Sequence, residues 1–269
     1  MNSILQHNPP PAPRAARGAT AGRRVRRWAA LAVVVIAAAV GLGEFLSHRS
    51  QRERLVQQMM SAYPDQVTAN PAVVRFAIAQ ARPLFARHCA PCHGADMRGN
   101  PAIGAPNLKN GVWLWGNGSV FQIERILLYG IRTSQRKSLH ITVMPAFGVM
   151  GRLSDAQVRD LVQFLLKLNH RPYQVGAANA GEVLFHSDKY GCYDCHGSDA
   201  KGESDYGAPN LTINTWNNGG DPKSLYDSIY YGRDRVMPAW QGILSLEQMR
   251  ALAIYIHTLS HASARPTGG

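Results

Sequence analysis

Cys89-Ala90-Pro91-Cys92-His93 and Cys192-Tyr193-Asp194-Cys195-His196 concentrate the chain's most reactive side chains. Each stretch reads Cys-x-x-Cys-His, the pattern for covalent attachment of a c-type haem. Two thiols separated by two residues can add to the two vinyl groups of one porphyrin. The adjacent His is then held beneath the iron as its proximal ligand. A redox disulfide or a shared four-cysteine zinc site would use the same thiols. Neither explains why His follows both pairs, or why a Met-Pro pair lies downstream of each. The chain has four Cys, all in these two motifs. The expectation is therefore two covalently bound haem c groups, with His93 and His196 as proximal iron ligands.

A thioether is a soft sixth ligand that stabilises ferrous haem and raises its potential. Of eight Met, Met144 and Met237 hold equivalent places, each before a Pro that keeps it extended. They are the expected axial ligands. Met1, Met59 and Met60 precede the haem motifs, and Met97 is too near His93 to reach the opposite face. Met150 and Met249 are the rivals, and Met249 lies on an amphipathic pattern that suits a core residue. His140 is the one imidazole challenger in the first unit. It has no counterpart in the second and reads as a loop residue. His88, His186 and His257 read as surface or propionate-side residues. Pro106 and Pro209 each follow a proximal His by thirteen residues. Their carbonyls are expected to accept the imidazole N–H and so fix the ring. Trp113, Trp115 and Trp216 suit either haem propionates or plain aromatic core.

The elements that must position these residues come in two copies. Leu84-Phe85 precedes the first motif and Leu184-Phe185 the second. Gly104-Ala105-Pro106-Asn107-Leu108 is repeated as Gly207-Ala208-Pro209-Asn210-Leu211. Tyr129-Gly130-Ile131-Arg132 answers Tyr231-Gly232-Arg233, and Val143-Met144-Pro145-Ala146-Phe147 answers Val236-Met237-Pro238-Ala239-Trp240. The Met follows the His by 51 residues in one unit and 41 in the other, the extra ten falling in the polar stretch Thr133 to Thr142. Ser154-x-x-Gln157 and Ser245-x-x-Gln248 are capping boxes opening two amphipathic helices. Phe164 and Tyr255 fall at matching positions on them. Small residues from Gly176 to Ala180 read as the linker between the copies.

Ahead of the repeat, residues 1–27 are rich in Pro, Ala and Arg and read as a disordered cytoplasmic tail. Arg23, Arg24, Arg26 and Arg27 then abut an apolar run from Trp28 to Leu46, long enough to span a bilayer. Residues 28–61 are read as a transmembrane anchor helix and its extension. The cationic flank stays in the cytoplasm, so everything beyond lies in the bacterial periplasm. A cleaved signal peptide is the competing reading, and it also exports the rest. The chain has 269 residues and a net charge of +12, sorted by region: +6 over residues 1–50, zero over 51–70, +9 over 71–173 and −3 over 174–269. A uniform basic coat for nucleic acid is absent. The sorting suits orientation of partners and contact with membrane lipid.

Each unit resembles a class I cytochrome c domain, on its Cys-x-x-Cys-His, its Leu-Phe before the motif and its Phe164 or Tyr255 on the last helix. The resemblance implies an all-α fold in which the first and last helices of each unit cross. It gives an N-terminal transmembrane helix followed by two tandem domains, 71–173 and 176–262. The whole is similar to the diheme subunit III of cbb3-type cytochrome c oxidases over roughly residues 80 to 260. The residues behind that likeness are Trp113-Leu114-Trp115-Gly116, Met144-Pro145-Ala146-Phe147-Gly148 and Tyr231-Gly232-Arg233 leading to Met237-Pro238-Ala239-Trp240. The N-terminal third departs from that family, lacking its acidic Asp-Asn-Pro-Leu-Pro-like segment. The resemblance implies an electron-transfer subunit with no catalytic site of its own. Its partners would be other oxidase subunits and a soluble donor cytochrome c. A free-standing diheme cytochrome serving a dehydrogenase or another reductase is the alternative reading, with a diheme peroxidase behind it.

Overall fold

The computed structural model describes residues 19–139 and 142–264, in two compact units, one ending at Arg54 and the other beginning at Leu55. Helix α1 spans Ala19–Ser61. It starts ahead of Trp28, so the Arg-rich part of the stretch read as disordered is helical. Residues 1–18 and His140 lie outside the described residues. In the first unit Leu31, Val34, Ile36, Val40, Leu42 and Phe45 are all exposed. A helix apolar on every face belongs in lipid or a protein interior, and this one is long and apolar enough to cross a membrane.

The second unit is helical, with only isolated β-bridges outside the helices among the described residues. After a 3₁₀ turn at Pro64–Ala69 come α2 (Pro71–His88), α3 (Ala90–His93), α4 (Val120–Tyr129) and α5 (Asp155–Leu168). Then follow α6 (Val175–Phe185), α7 (Cys192–His196), α8 (Pro222–Tyr231) and α9 (Leu246–Ala264). Local chemistry sets the ends. The Asn70 side chain accepts from the Ala72 and Val73 amides, and Pro71 takes the first helical position, where its missing N–H costs nothing. Both capping boxes form: Ser154 and Gln157 bond reciprocally, as do Ser245 and Gln248. Glycines Gly130 and Gly232, both at φ 71°, end α4 and α8.

Packing departs from the expectation that each unit closes on itself. The first core joins Val73, Ala77, Ala81 and Phe85 of α2 and Val120, Ile123 and Leu127 of α4 to Met249, Leu252, Ile254 and Ile256 of α9. The second joins Val158, Leu161, Phe164 and Leu165 of α5 to Phe185 of α6 and to Leu225 and Ile229 of α8. The helix crossing therefore exists twice, with partners exchanged. Phe85 meets Tyr255 edge-on at 5.8 Å, and Phe164 meets Phe185 at 5.3 Å. Thus the last helix of each repeat unit closes the other unit's core. Topologically, residues 142–235 form one core inserted between the two parts of the other.

Small residues 176–180, read as a linker, are the first turns of α6. They let it lie close to α5: a Cβ on Gly181 would stand 2.1 Å from the Asp160 carbonyl oxygen. Polar contacts fasten the exchange. Lys167 Nζ reaches Glu182 at 2.7 Å, and the Tyr226 phenol bonds Asp155 across α8 and α5. In the first core, buried Arg250 of α9 pairs with Glu124 of α4 at 2.5 Å and donates to the Met59 carbonyl at 3.0 Å.

Candidate haem sites

Each motif is a short helix between two fixed points. Cys89 precedes α3, with its N–H on the Phe85 carbonyl at 2.9 Å, so α2 aims the motif. His93 is buried and its backbone N–H donates to Cys89 O at 2.8 Å. Its Nδ1 lies 3.1 Å from Pro106 O, and Nδ1 of half-buried His196 lies 3.1 Å from Pro209 O. A carbonyl can only accept, so Nδ1 carries the proton in both rings and Nε2 keeps a lone pair for a metal. The carriers of those carbonyls are matched loops. Gly99 N–H bonds His93 O and Gly202 N–H bonds His196 O, each at 2.8 Å. Leu108 and Leu211 then tie back to Met97 and Ala200, also at 2.8 Å. The repeated Gly-Ala-Pro-Asn-Leu thus builds one device twice.

Burial lowers the proton affinity of both imidazoles, against a smaller opposite pull from the proline carbonyls, so the rings are neutral near pH 7. Burial also pushes the Cys89 and Cys192 thiols up to about 11. No disulfide joins any two of the four cysteines. Among the described residues no three His, Cys, Asp or Glu side chains come together as a metal site, so the two thiol pairs do not converge as a shared zinc site would require.

Both motifs open into a continuous cavity of about 820 Å³, which Met144, Met237, Pro106 and Pro209 also line. Among the described residues, three buried polar atoms along it have no protein partner: Trp113 Nε1, Asn218 Oδ1 and Arg233 Nε. Buried polar groups are nearly always paired. An apolar cavity bearing two thiol pairs, two metal-ready imidazoles, an orphan indole N–H and an orphan guanidinium N–H fits a porphyrin with anionic propionates.

The remaining candidates sort cleanly. Met144 packs on the second core and Met237 on the first, both half-buried. Met249 and Met97 are buried among apolar residues, and Met150 is exposed. Trp216 gives its N–H to Asn214 at 3.0 Å, so of the candidate indoles Trp113 is the one with a buried, unspent donor. Arg132 and Arg233 also line the cavity, and burial lowers the proton affinity of both guanidiniums. Sequence reading treated them only as repeat markers. Their recurrence after Tyr-Gly was the available signal, but the backbone pairs Ile131, not Arg132, in the place of Arg233.

Two family profiles match: Cytochrome c over residues 78–169, and Cytochrome C oxidase, cbb3-type, subunit III over 176–256. The Cbb3-type cytochrome c oxidase subunit CcoP of Rhodobacter capsulatus is 36% identical over 79% of this chain and 71% of its own length. CcoP of Cereibacter sphaeroides is 32% identical over 76% of this chain and 68% of its own. The chain belongs to the CcoP family. FixP of Bradyrhizobium sp. strain ORS 278, another Cbb3-type cytochrome c oxidase subunit, is 38% identical over 72% of this chain, and the match takes in only 64% of that relative. Family membership implies covalently bound haem c, which the thiol–imidazole geometry accommodates. With the apolar α1, it makes this CcoP-family chain a membrane-anchored one.

Proposed function

We propose that this CcoP-family chain holds two haem c groups, each between a His and a Met, and passes single electrons to the catalytic core of a cbb3-type oxidase. The observation that carries the reading is the duplicated imidazole–carbonyl bond, 3.1 Å at both motifs, on a cavity where, among the described residues, the buried Trp113 and Arg233 N–H donors have no protein partner. Bound haem c supplies a one-electron carrier. The protein's part is to hold it: Cys89 and Cys92, or Cys192 and Cys195, fix the ring edge, and His93 or His196 presents Nε2. The Pro106 and Pro209 carbonyls keep each imidazole plane fixed, so little reorganisation accompanies a change of iron charge. Met144 and Met237 occupy the positions that would exclude water and substrate. Trp113 and Arg233 hold donors for propionates. The haem-bearing unit is assigned to the periplasm, opposite the Arg23–Arg27 flank, with a soluble cytochrome as donor and lipid beside the anchor.

Intact mass under denaturing conditions tests the cofactor count. Chain expressed in a host competent for c-type maturation is expected to carry two haems. One haem, or none, refutes the reading. Copurification with oxidase subunits from detergent-solubilised membranes tests the partner.

A further inference from the structure

We propose that Arg132 is a positioning residue shared by both methionine loops, a clasp that keeps Met144 and Met237 against their irons. This rests on the proposed His–Met ligation and holds whichever iron each Met serves. The guanidinium spends its donors on main-chain carbonyls. Nε and Nη2 both donate to the Thr142 carbonyl at 3.2 Å, and Nη1 donates to the Arg235 carbonyl at 3.1 Å. Thr142 lies two residues ahead of Met144, and Arg235 two ahead of Met237. One side chain therefore grips both loops at the same register. Thr142 is itself tied down, its hydroxyl donating to the Tyr206 carbonyl at 2.6 Å. The guanidinium carbon lies over the ring of buried Trp115, 6.0 Å from its centroid, within reach of a cation–π attraction. Among the described residues Arg132 forms no ion pair with a carboxylate. Its bonds hold backbone, and they hold it beside both methionines.

An extra residue in the first repeat unit makes the clasp. Tyr129-Gly130-Ile131-Arg132 stands against Tyr231-Gly232-Arg233. Ile131 pairs with Met237 as Arg233 pairs with Met144, which sets Arg132 one position further along. Arg132 sits there at φ 55°, with its N–H on the Leu139 carbonyl at 2.9 Å. That left-handed conformation costs any residue with a Cβ, and Gly would adopt it freely. An Arg kept in such a place points to a need for its side chain. The guanidinium of Arg233 grips neither loop in this way. It donates to Ser228 Oγ at 2.8 Å and the Gly232 carbonyl at 3.3 Å, holding the end of its own helix. A thioether favours ferrous iron, so the ferric state is where the sixth ligand is lost most readily and where the clasp acts.

The test uses the full diheme chain carrying Arg132→Ala. Two readouts are taken on the ferric protein: the near-infrared sulfur-to-iron band, and the rate at which added imidazole displaces the sixth ligand of each haem. The band is expected to fall by more than one iron's share. Both phases of imidazole binding should quicken about tenfold, the size of losing one charge-assisted hydrogen bond. Two controls separate this from lost charge and lost stability. Arg136→Ala removes an exposed cation from the same stretch, and Arg250→Ala weakens the first core without touching either loop. Both should keep the wild-type band and rates. A full band with wild-type rates in Arg132→Ala overturns the clasp and leaves the ligation standing. A change confined to one haem overturns its being shared, and an equal change in Arg250→Ala assigns the effect to stability and overturns it too. A wild-type chain without the band overturns the ligation and the clasp with it. Should Arg132→Ala not fold, Arg132→Lys keeps the charge without the planar fork. Imidazole is expected to bind faster at both of its haems, and wild-type rates there overturn the clasp.

Discussion

Glycine is required at Gly130 and Gly232 by two separate demands. Both sit at φ 71°, and a Cβ on either would stand 2.5 Å from a carbonyl oxygen, that of Met237 or of Met144. An L residue in the left-handed region costs roughly 1–2 kcal/mol before any contact is counted. The contact falls on the residue proposed as an iron ligand, so the strain acts on the Met loop and not on a distant turn. Gly232→Ala is therefore expected to loosen Met144 while both haems stay covalently attached. The near-infrared band should lose the share due to one iron, with intact mass unchanged. A full-strength band in the variant would show that the loop absorbs the Cβ and that the close approach does not hold the ligand. The same residue scale explains why the proximal side is easily read. A thioether pair and its His are adjacent in sequence, so spacing alone fixes their chemistry.

At the scale of helices, Arg250 carries α9 onto the rest of its core. It is 7% exposed, pairs with Glu124 on α4, and gives its other donors to the carbonyls of Met59 and Ala62. Removing one member of a buried pair strands the other and costs about 3–5 kcal/mol, whereas replacing both by apolar residues of similar size is often neutral. Arg250→Ala should destabilise the first core by that amount in denaturant unfolding. Arg250→Met with Glu124→Leu should recover most of it. A small effect of the single change would mean that water reaches Glu124. The repeat, the capping boxes and the apolar faces of α5 and α9 were all legible in the sequence. Which core each helix closes was not. Phe164 and Tyr255 occupy the same register on similar helices, so either can cross either Leu-Phe, and periodicity contains no partner information. One signal did exist. Residues 169–174 join α5 to α6, and so short a connection favours antiparallel neighbours. Reading Gly176 to Ala180 as a linker hid it, because small residues serve close helix packing as readily as flexibility.

The exchange also changes how charge is distributed over the molecule. By sequence halves the split is +9 and −3. By cores, residues 55–139 with 236–264 carry ten basic and four acidic side chains, and residues 142–235 carry nine basic and eleven acidic. The polarity survives at +6 against −2, so the core around His196 remains the acidic one before any propionate is counted. Opposite charge steers diffusional encounter, and salt screens it. A basic donor cytochrome is thus expected to deliver electrons at the His196 core. The basic core would face the oxidase and anionic headgroups, with electrons passing through its haem second. Asp199 and Glu203 are exposed on the acidic core; Asp199 pairs with the exposed Lys201 ammonium at 3.0 Å and accepts the Lys201 N–H at 3.1 Å, and Glu203 accepts the Asp205 N–H at 3.4 Å, so reversing both gives up exposed turn bonds. Asp199→Lys with Glu203→Lys should slow reduction by a basic cytochrome and flatten its dependence on ionic strength. The matching control reverses exposed Arg98 and Arg136 on the basic core; Arg132 is unsuitable there, since its guanidinium holds the Thr142 and Arg235 carbonyls. If Arg98→Glu with Arg136→Glu slows the reaction while the acidic-core reversals leave it unchanged, electrons enter at the His93 haem and the order proposed here is reversed.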